Sequence, residues 1–102
     1  MNNALNLREK HRQILENLLR QYLPDIEVWV YGSRINGRSH DGSDLDLVLR
    51  SSDLMPIDSR KFHAFIEAVR ESNIPFLVDV RDWATLPEYF QHEIEGNYLI
   101  LK

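Results

Sequence analysis

Two aspartates one residue apart, Asp44 and Asp46, follow a glycine–serine pair, Gly32 and Ser33, after an interval of ten residues. The stretch reads GSRINGRSHDGSDLDL, a G-S-x10-D-x-D pattern. On an extended strand, alternate side chains share a face and their α-carbons lie about 6.5 Å apart, so the two carboxylates can lean toward one point. Left alone, carboxylates about 4 Å apart repel by roughly 4 kcal/mol at an effective dielectric near 20. A fold that keeps them together raises a pKa or binds a cation. Oxygen-only ligands, with no cysteine in the chain, favour Mg2+ or Mn2+ over Zn2+.

A third carboxylate, Asp79, stands in the apolar stretch FLVDVR. A charge in such a strand needs a partner or a metal. If that strand lies beside the one carrying Asp44 and Asp46, three carboxylates face one pocket. Gly32 and Ser33 supply the opposite chemistry. Glycine lets a phosphate approach the backbone, the N-terminus of the following helix offers free N–H groups and a favourable dipole, and the Ser33 hydroxyl adds a donor. Arg34 and Arg38 can neutralise phosphate charge. A phosphate cradle facing metal-binding carboxylates suits phosphoryl or nucleotidyl transfer.

The elements that must position these residues are legible in order. Residues 5–23 predict a helix, with His11, Ile14, Leu15, Leu18, Leu19 and Tyr22 on one stripe and Pro24 as its stop. Glu27–Tyr31 is a strand apolar on both faces, hence covered on both. Ser33 is placed to cap a short helix from Arg34, and Gly37 with Asp41–Gly42 marks a loop. Ser43–Arg50 is a second strand with Asp44, Asp46 and Val48 on one face and Leu45, Leu47 and Leu49 on the other. Asp58 or Ser59 opens a helix with Phe62, Phe65, Ile66 and Val69 inward, ending near Asn73 before Pro75. Phe76–Arg81 is a third strand, with Leu77, Asp79 and Arg81 sharing a face. Thr85 and Glu88 have capping-box spacing for a last helix through Glu95, with Leu86, Phe90 and Ile94 inward and Gly96 at its end. The apolar tail, residues 97–102, docks on this domain or on a partner. The expected architecture is α/β (α+β), a small mixed sheet with helices packed on it. The short loop after Gly37 favours antiparallel pairing of the first two strands.

Composition narrows the classes. At 102 residues with 43% hydrophobic and 27% charged, one soluble domain, residues 1–102, is expected. The absence of cysteine removes disulfides and thiolate chemistry. No apolar run suits a membrane span and the first residues lack a signal-peptide core, so a cytoplasmic location is expected. A net charge of −4 argues against binding nucleic acid as a direct substrate. Plainer roles compete for individual residues. Asp79 can pair with Arg81 or Arg34. Arg38, His40 and Asp41 suit a solvated loop, Trp29 and Trp83 suit packing, His11 suits the helix stripe, and His63 and His92 suit exposed helix faces.

Together these residues resemble the nucleotidyltransferase superfamily that shares the polymerase-β palm. The GSR…G…SDLDL form, the leading helix, the FLVDVRDW strand and the apolar end look like its minimal nucleotidyltransferase (MNT) branch, the antitoxins paired with HEPN-domain toxins. The resemblance implies a palm-like fold, two Mg2+ ions (or Mn2+) and ATP as donor. It places Gly32, Ser33 and Arg34 on the nucleotide, and Asp44, Asp46 and Asp79 on the metals as catalytic residues. Asp79 would help to activate the acceptor hydroxyl. It further implies transfer of AMP to a tyrosine of a HEPN toxin, and assembly as a homo- or hetero-oligomer. Two other functions remain open on this reading. One is nucleotidyl transfer to a small molecule such as an aminoglycoside, and the other is non-catalytic masking of the toxin.

Overall fold

The computed structural model describes residues 5–40 and 42–102. The turn expected at Asp41–Gly42 therefore lies partly outside the described residues. Helix α1 (Glu9–Tyr22) leads to strand β1 (Glu27–Tyr31), a 3-10 turn (Ser33–Ile35) and strand β2 (Leu45–Arg50). Helix α2 (Ser59–Arg70), strand β3 (Val78–Asp82), a second 3-10 turn (Trp83–Thr85), helix α3 (Glu88–Glu95) and strand β4 (Leu99–Ile100) follow. The sheet order is β3-β2-β1-β4. β1 runs antiparallel to β2 and β4, and β2 runs parallel to β3, so the sheet is mixed as expected.

Alternation along the strands divides the apolar residues between two faces. Val28 and Val30 of β1 and Leu45, Leu47 and Leu49 of β2 meet Leu15 and Leu19 of α1 and Phe65 and Val69 of α2 in the main core. Each fully buried leucine or valine contributes about 1.5–3 kcal/mol relative to exposure. On the opposite face, Trp29, Val48, Trp83 and Ile94 form a smaller cluster backed by Phe90 and Tyr98. That cluster covers only part of the face.

Three sequence expectations are corrected. The helix begins at Glu9, four residues later than expected. Leu5 and Leu7 are buried and Asn6 N–H donates to Arg34 O at 2.8 Å, so this segment straps the first 3-10 turn instead of extending α1. The third strand begins two residues late, at Val78, because Phe76 turns to meet the Arg34 guanidinium at 4.1 Å. The Thr85–Glu88 capping box does not form. Asp82 accepts from Ala84 N–H at 3.1 Å and Thr85 Oγ1 donates to Asp82 O at 3.0 Å, which closes a 3-10 turn before α3. The apolar tail docks on this chain. Leu99 and Ile100 pair with β1 as a fourth strand, Leu101 is buried, and Lys102 Nζ donates to the carbonyls of Leu23, Pro24 and Ile26 at 3.1, 2.7 and 3.3 Å.

Candidate active site

The acidic residues emerge at one end of the second face. β2 keeps its expected alternation, so Asp46 points away from the leucine core, on the side of Val48. In the register, Asp46 lies opposite Tyr31 of β1 and opposite Asp79 of β3. Parallel pairing of β2 and β3 thus brings Asp79 to the same face and level as Asp46. Asp44 sits one residue before β2 and is exposed. Leu45 N–H donates to Leu77 O at 2.9 Å, fixing the strand start between the two aspartates.

The charges feel one another. Burial, then Asp79, then Asp44 push the Asp46 carboxyl above its ordinary value, while Arg81 opposes the shift. Tyr31 is pushed up to about 12 by burial first and by Asp46 next. These are the signs of a carboxylate cluster short of positive charge. The donor set fits a hard divalent cation. Even so, no three such side chains among the described residues converge on one point. Asp79 Oδ2 accepts instead from Arg81 Nε at 3.3 Å, so the plain reading of an ion pair between these two describes the side chains as they stand.

Gly32 borders this cluster. Its φ of +88° and ψ of −155° fall in a region reserved essentially for glycine. A Cβ there would overlap Asp46 Oδ2 and lie 3.2 Å from its Cγ. Position 32 therefore needs glycine for its backbone and for the carboxylate beside it. Ser33 begins the 3-10 turn instead of capping a helix from Arg34, and no side-chain cap bond is made there. That leaves the seryl oxygen uncommitted to the cap.

Arg34 departs from its expected role. Its guanidinium is buried, donates to Ser43 O at 2.7 and 3.1 Å and to Asn6 O at 2.7 Å, and lies over Phe76. It ties the strap, the loop ahead of Asp44 and the approach to β3, so its side chain is not presented to a phosphate. Arg38 is exposed. His40 anchors the loop: its Nδ1 accepts from Gly42 N–H and its backbone N–H donates to Ser43 Oγ. Trp29 and Trp83 pack as expected, with Arg50 4.2 and 4.7 Å over their rings. His63 and His92 are exposed and His11 is buried. Sequence reasoning gave no role to Tyr31 and treated Arg81 only as a possible partner of Asp79. The signal for Arg81 was its shared strand face with Asp79. Tyr31 carried none.

A glycine turn facing strand carboxylates on a mixed sheet defines a nucleotidyltransferase palm. Residues 1–84 match the family model described as "Poly(A) RNA polymerase, mitochondrial-like, central palm domain", and the chain belongs to this nucleotidyltransferase family. Within it, the chain is 36% identical over 98 residues to the "Probable protein adenylyltransferase MntA" of Haemophilus influenzae, covering 96% of this chain and 84% of that protein. This relative agrees with the minimal nucleotidyltransferase branch. The fold is also similar to one solved in a "Crystal structure of the toxin-antitoxin with AMP-PNP", with a TM-score of 0.72 at 20% identity over 89% of this chain and 72% of that one. No helix among the described residues is long and apolar enough to cross a membrane.

Proposed function

We propose that this nucleotidyltransferase is an antitoxin that moves AMP from ATP to a tyrosine of a partner HEPN toxin. The observation that carries the reading is the meeting of Asp46 and Asp79 in register on an open face beside Gly32, with Asp44 one residue before the strand. Asp44, Asp46 and Asp79 would hold two Mg2+ ions. When bound, such ions neutralise triphosphate charge and lower the pKa of an acceptor hydroxyl.

The chain's own groups account for the rest. Gly32 leaves room for phosphate oxygens against the backbone, and Ser33 offers a hydroxyl donor. The acceptor oxygen attacks the α-phosphorus, a new P–O bond forms, and the bond to the β-phosphate oxygen breaks to release pyrophosphate. Asp79 receives the acceptor proton. The toxin surface supplies the acceptor, so chemistry and partner masking coincide. The relative's name, an adenylyltransferase acting on protein, supports this choice of acceptor class.

The test is intact-mass spectrometry of the protein encoded by the adjacent gene, expected to be a HEPN toxin, after incubation with ATP and Mg2+. The wild-type chain should add AMP, and Asp44→Asn should not. Unmodified toxin in both reactions refutes the proposal. Full neutralisation by an Asp44→Asn/Asp46→Asn chain would establish masking without catalysis instead.

A further inference from the structure

The acidic face already holds a cation of its own. Arg81 lies two residues beyond Asp79 on β3, on the same face, and its Nε bonds Asp79 Oδ2 at 3.3 Å. Its guanidinium lies 5.5 Å from the centroid of Phe90, and Asp79, Tyr31 and Asp46 all act to hold its charge. The side chain is 46% exposed, so it can swing without breaking the core. Arg81 engages an oxygen that Asp79 would offer to a divalent ion. Among the described residues, no three carboxylates close around one centre as they stand.

We propose that Arg81 is a resident counter-ion that latches the metal site open until nucleotide arrives. This inference rests on the metal-site reading given above. While Arg81 holds Asp79, a divalent ion meets only part of its ligand set and a nearby like charge. A triphosphate entering the same face offers the guanidinium a stronger anionic partner. Arg81 then leaves Asp79, and the three carboxylates become available together. Metal and nucleotide consequently help each other to bind, and the coupling is reciprocal. Arg81 is a positioning residue in this scheme, acting through Asp79.

The test is a Mn2+ titration of the full chain, read by the electron paramagnetic resonance of the free ion, without nucleotide and with AMP-PNP. Without nucleotide, Arg81→Met should bind Mn2+ about tenfold tighter than wild type, the size expected when a unit charge some 6 Å from a divalent ion is removed in a water-like dielectric. AMP-PNP should then tighten Mn2+ binding much less than it does in wild type. Arg81→Lys keeps the charge and should stay near wild type. Asp46→Asn should lose binding in both conditions. Equal affinity in wild type and Arg81→Met, with Asp46→Asn still impaired, overturns the latch and leaves the site reading intact. Binding insensitive to Asp46→Asn overturns the site reading and the latch with it. Should Arg81→Met fail to fold, the Nε–Hε resonance of wild-type Arg81 decides. It should move when Mg2+ and AMP-PNP are added, and an unmoved resonance overturns the proposal.

Discussion

One methyl group at position 32 should disable this enzyme more severely than it unfolds it. Gly32→Ala forces alanine into φ +88°, ψ −155°, a conformation that costs about 1–3 kcal/mol outside glycine. The new Cβ would overlap Asp46 Oδ2 and stand 3.2 and 3.4 Å from Cγ and Cβ of the same side chain. Asp46 is flanked in register by Tyr31 and Asp79, so it escapes only by leaving its rotamer, at about 0.5–1.5 kcal/mol. The sum is about 1.5–4.5 kcal/mol, a large share of the roughly 5–15 kcal/mol that holds a domain together. Gly37→Ala is the control. It also has a left-handed φ, +81°, but nothing lies within 4 Å of a Cβ there, so only backbone strain of about 1–2 kcal/mol applies. Urea unfolding should rank Gly32→Ala below Gly37→Ala, and both below wild type. AMP transfer should fall about 100-fold in Gly32→Ala, as for a misplaced catalytic group, and stay near wild type in Gly37→Ala. Equal transfer by Gly32→Ala and wild type would show that the close approach of position 32 to Asp46 plays no part in the chemistry.

Three further outcomes are expected. Asp46→Asn should abolish transfer while making the metal-free fold slightly more stable at neutral pH. The Asp46 carboxyl is pushed up from its ordinary 3.8 by burial and by its acidic neighbours. The protonated form's contribution to stability is therefore complete below pH 3.8 and is lost as pH rises through the elevated folded value. Wild type should show that loss in urea unfolding across the acid range, and the variant should not. Tyrosinate absorbance should reveal one tyrosine titrating at about 12, absent in Tyr31→Phe. Its stability contribution is complete below pH 10.0 and is lost through about 12. Arg34→Lys should cost about 2–4 kcal/mol, since a buried guanidinium loses its fork onto Ser43 O and Asn6 O and leaves carbonyls unpaired. Its transfer rate should fall too, because Ser43 precedes Asp44.

The facing of the acidic residues was readable because strand alternation is a local rule. Leu45, Leu47 and Leu49 had to face a core, so Asp46 had to face away from it. That Asp79 stands beside Asp46 was only conditional in the sequence, because alternation says nothing of which strands pair or in what register. The misreadings share a cause in hydrogen-bond partners that residue spacing does not specify. Residues 5–8 continue a helical apolar spacing, yet Asn6 finds the Arg34 carbonyl and Leu7 N–H turns back to Leu5 O, so the segment stays out of the helix. Thr85 and Glu88 have the right separation for a capping box, yet the Asp82 carboxylate reaches Ala84 first. An arginine beside a glycine–serine turn has the same donor chemistry toward phosphate as toward buried carbonyls. Only the positions of Asn6, Ser43 and Phe76 decide which it meets. The pairing of Leu99 and Ile100 with β1 was equally hidden, since two residues carry no period.

The two ends of β2 explain how an acidic cluster can be held accurately in a small fold. Val48 is fully buried and lies opposite Trp29 in the register, beneath the cluster that also contains Trp83 and Ile94. Arg50, at the far end, is clasped over both tryptophans and bonded to Glu27 at 3.0 Å. A one-residue slip of β2 would expose its leucines, bury its aspartates and break this clasp at once. The register is therefore set by apolar burial along the strand and by a cation at its covered end. Asp46 and Asp79 inherit that register at the open end, where solvent, Arg81 or a divalent ion can answer their charge. Repulsion between them is confined to side chains, because the backbone that carries them is fixed elsewhere, by apolar burial along β2 and by the Arg50 clasp at its covered end.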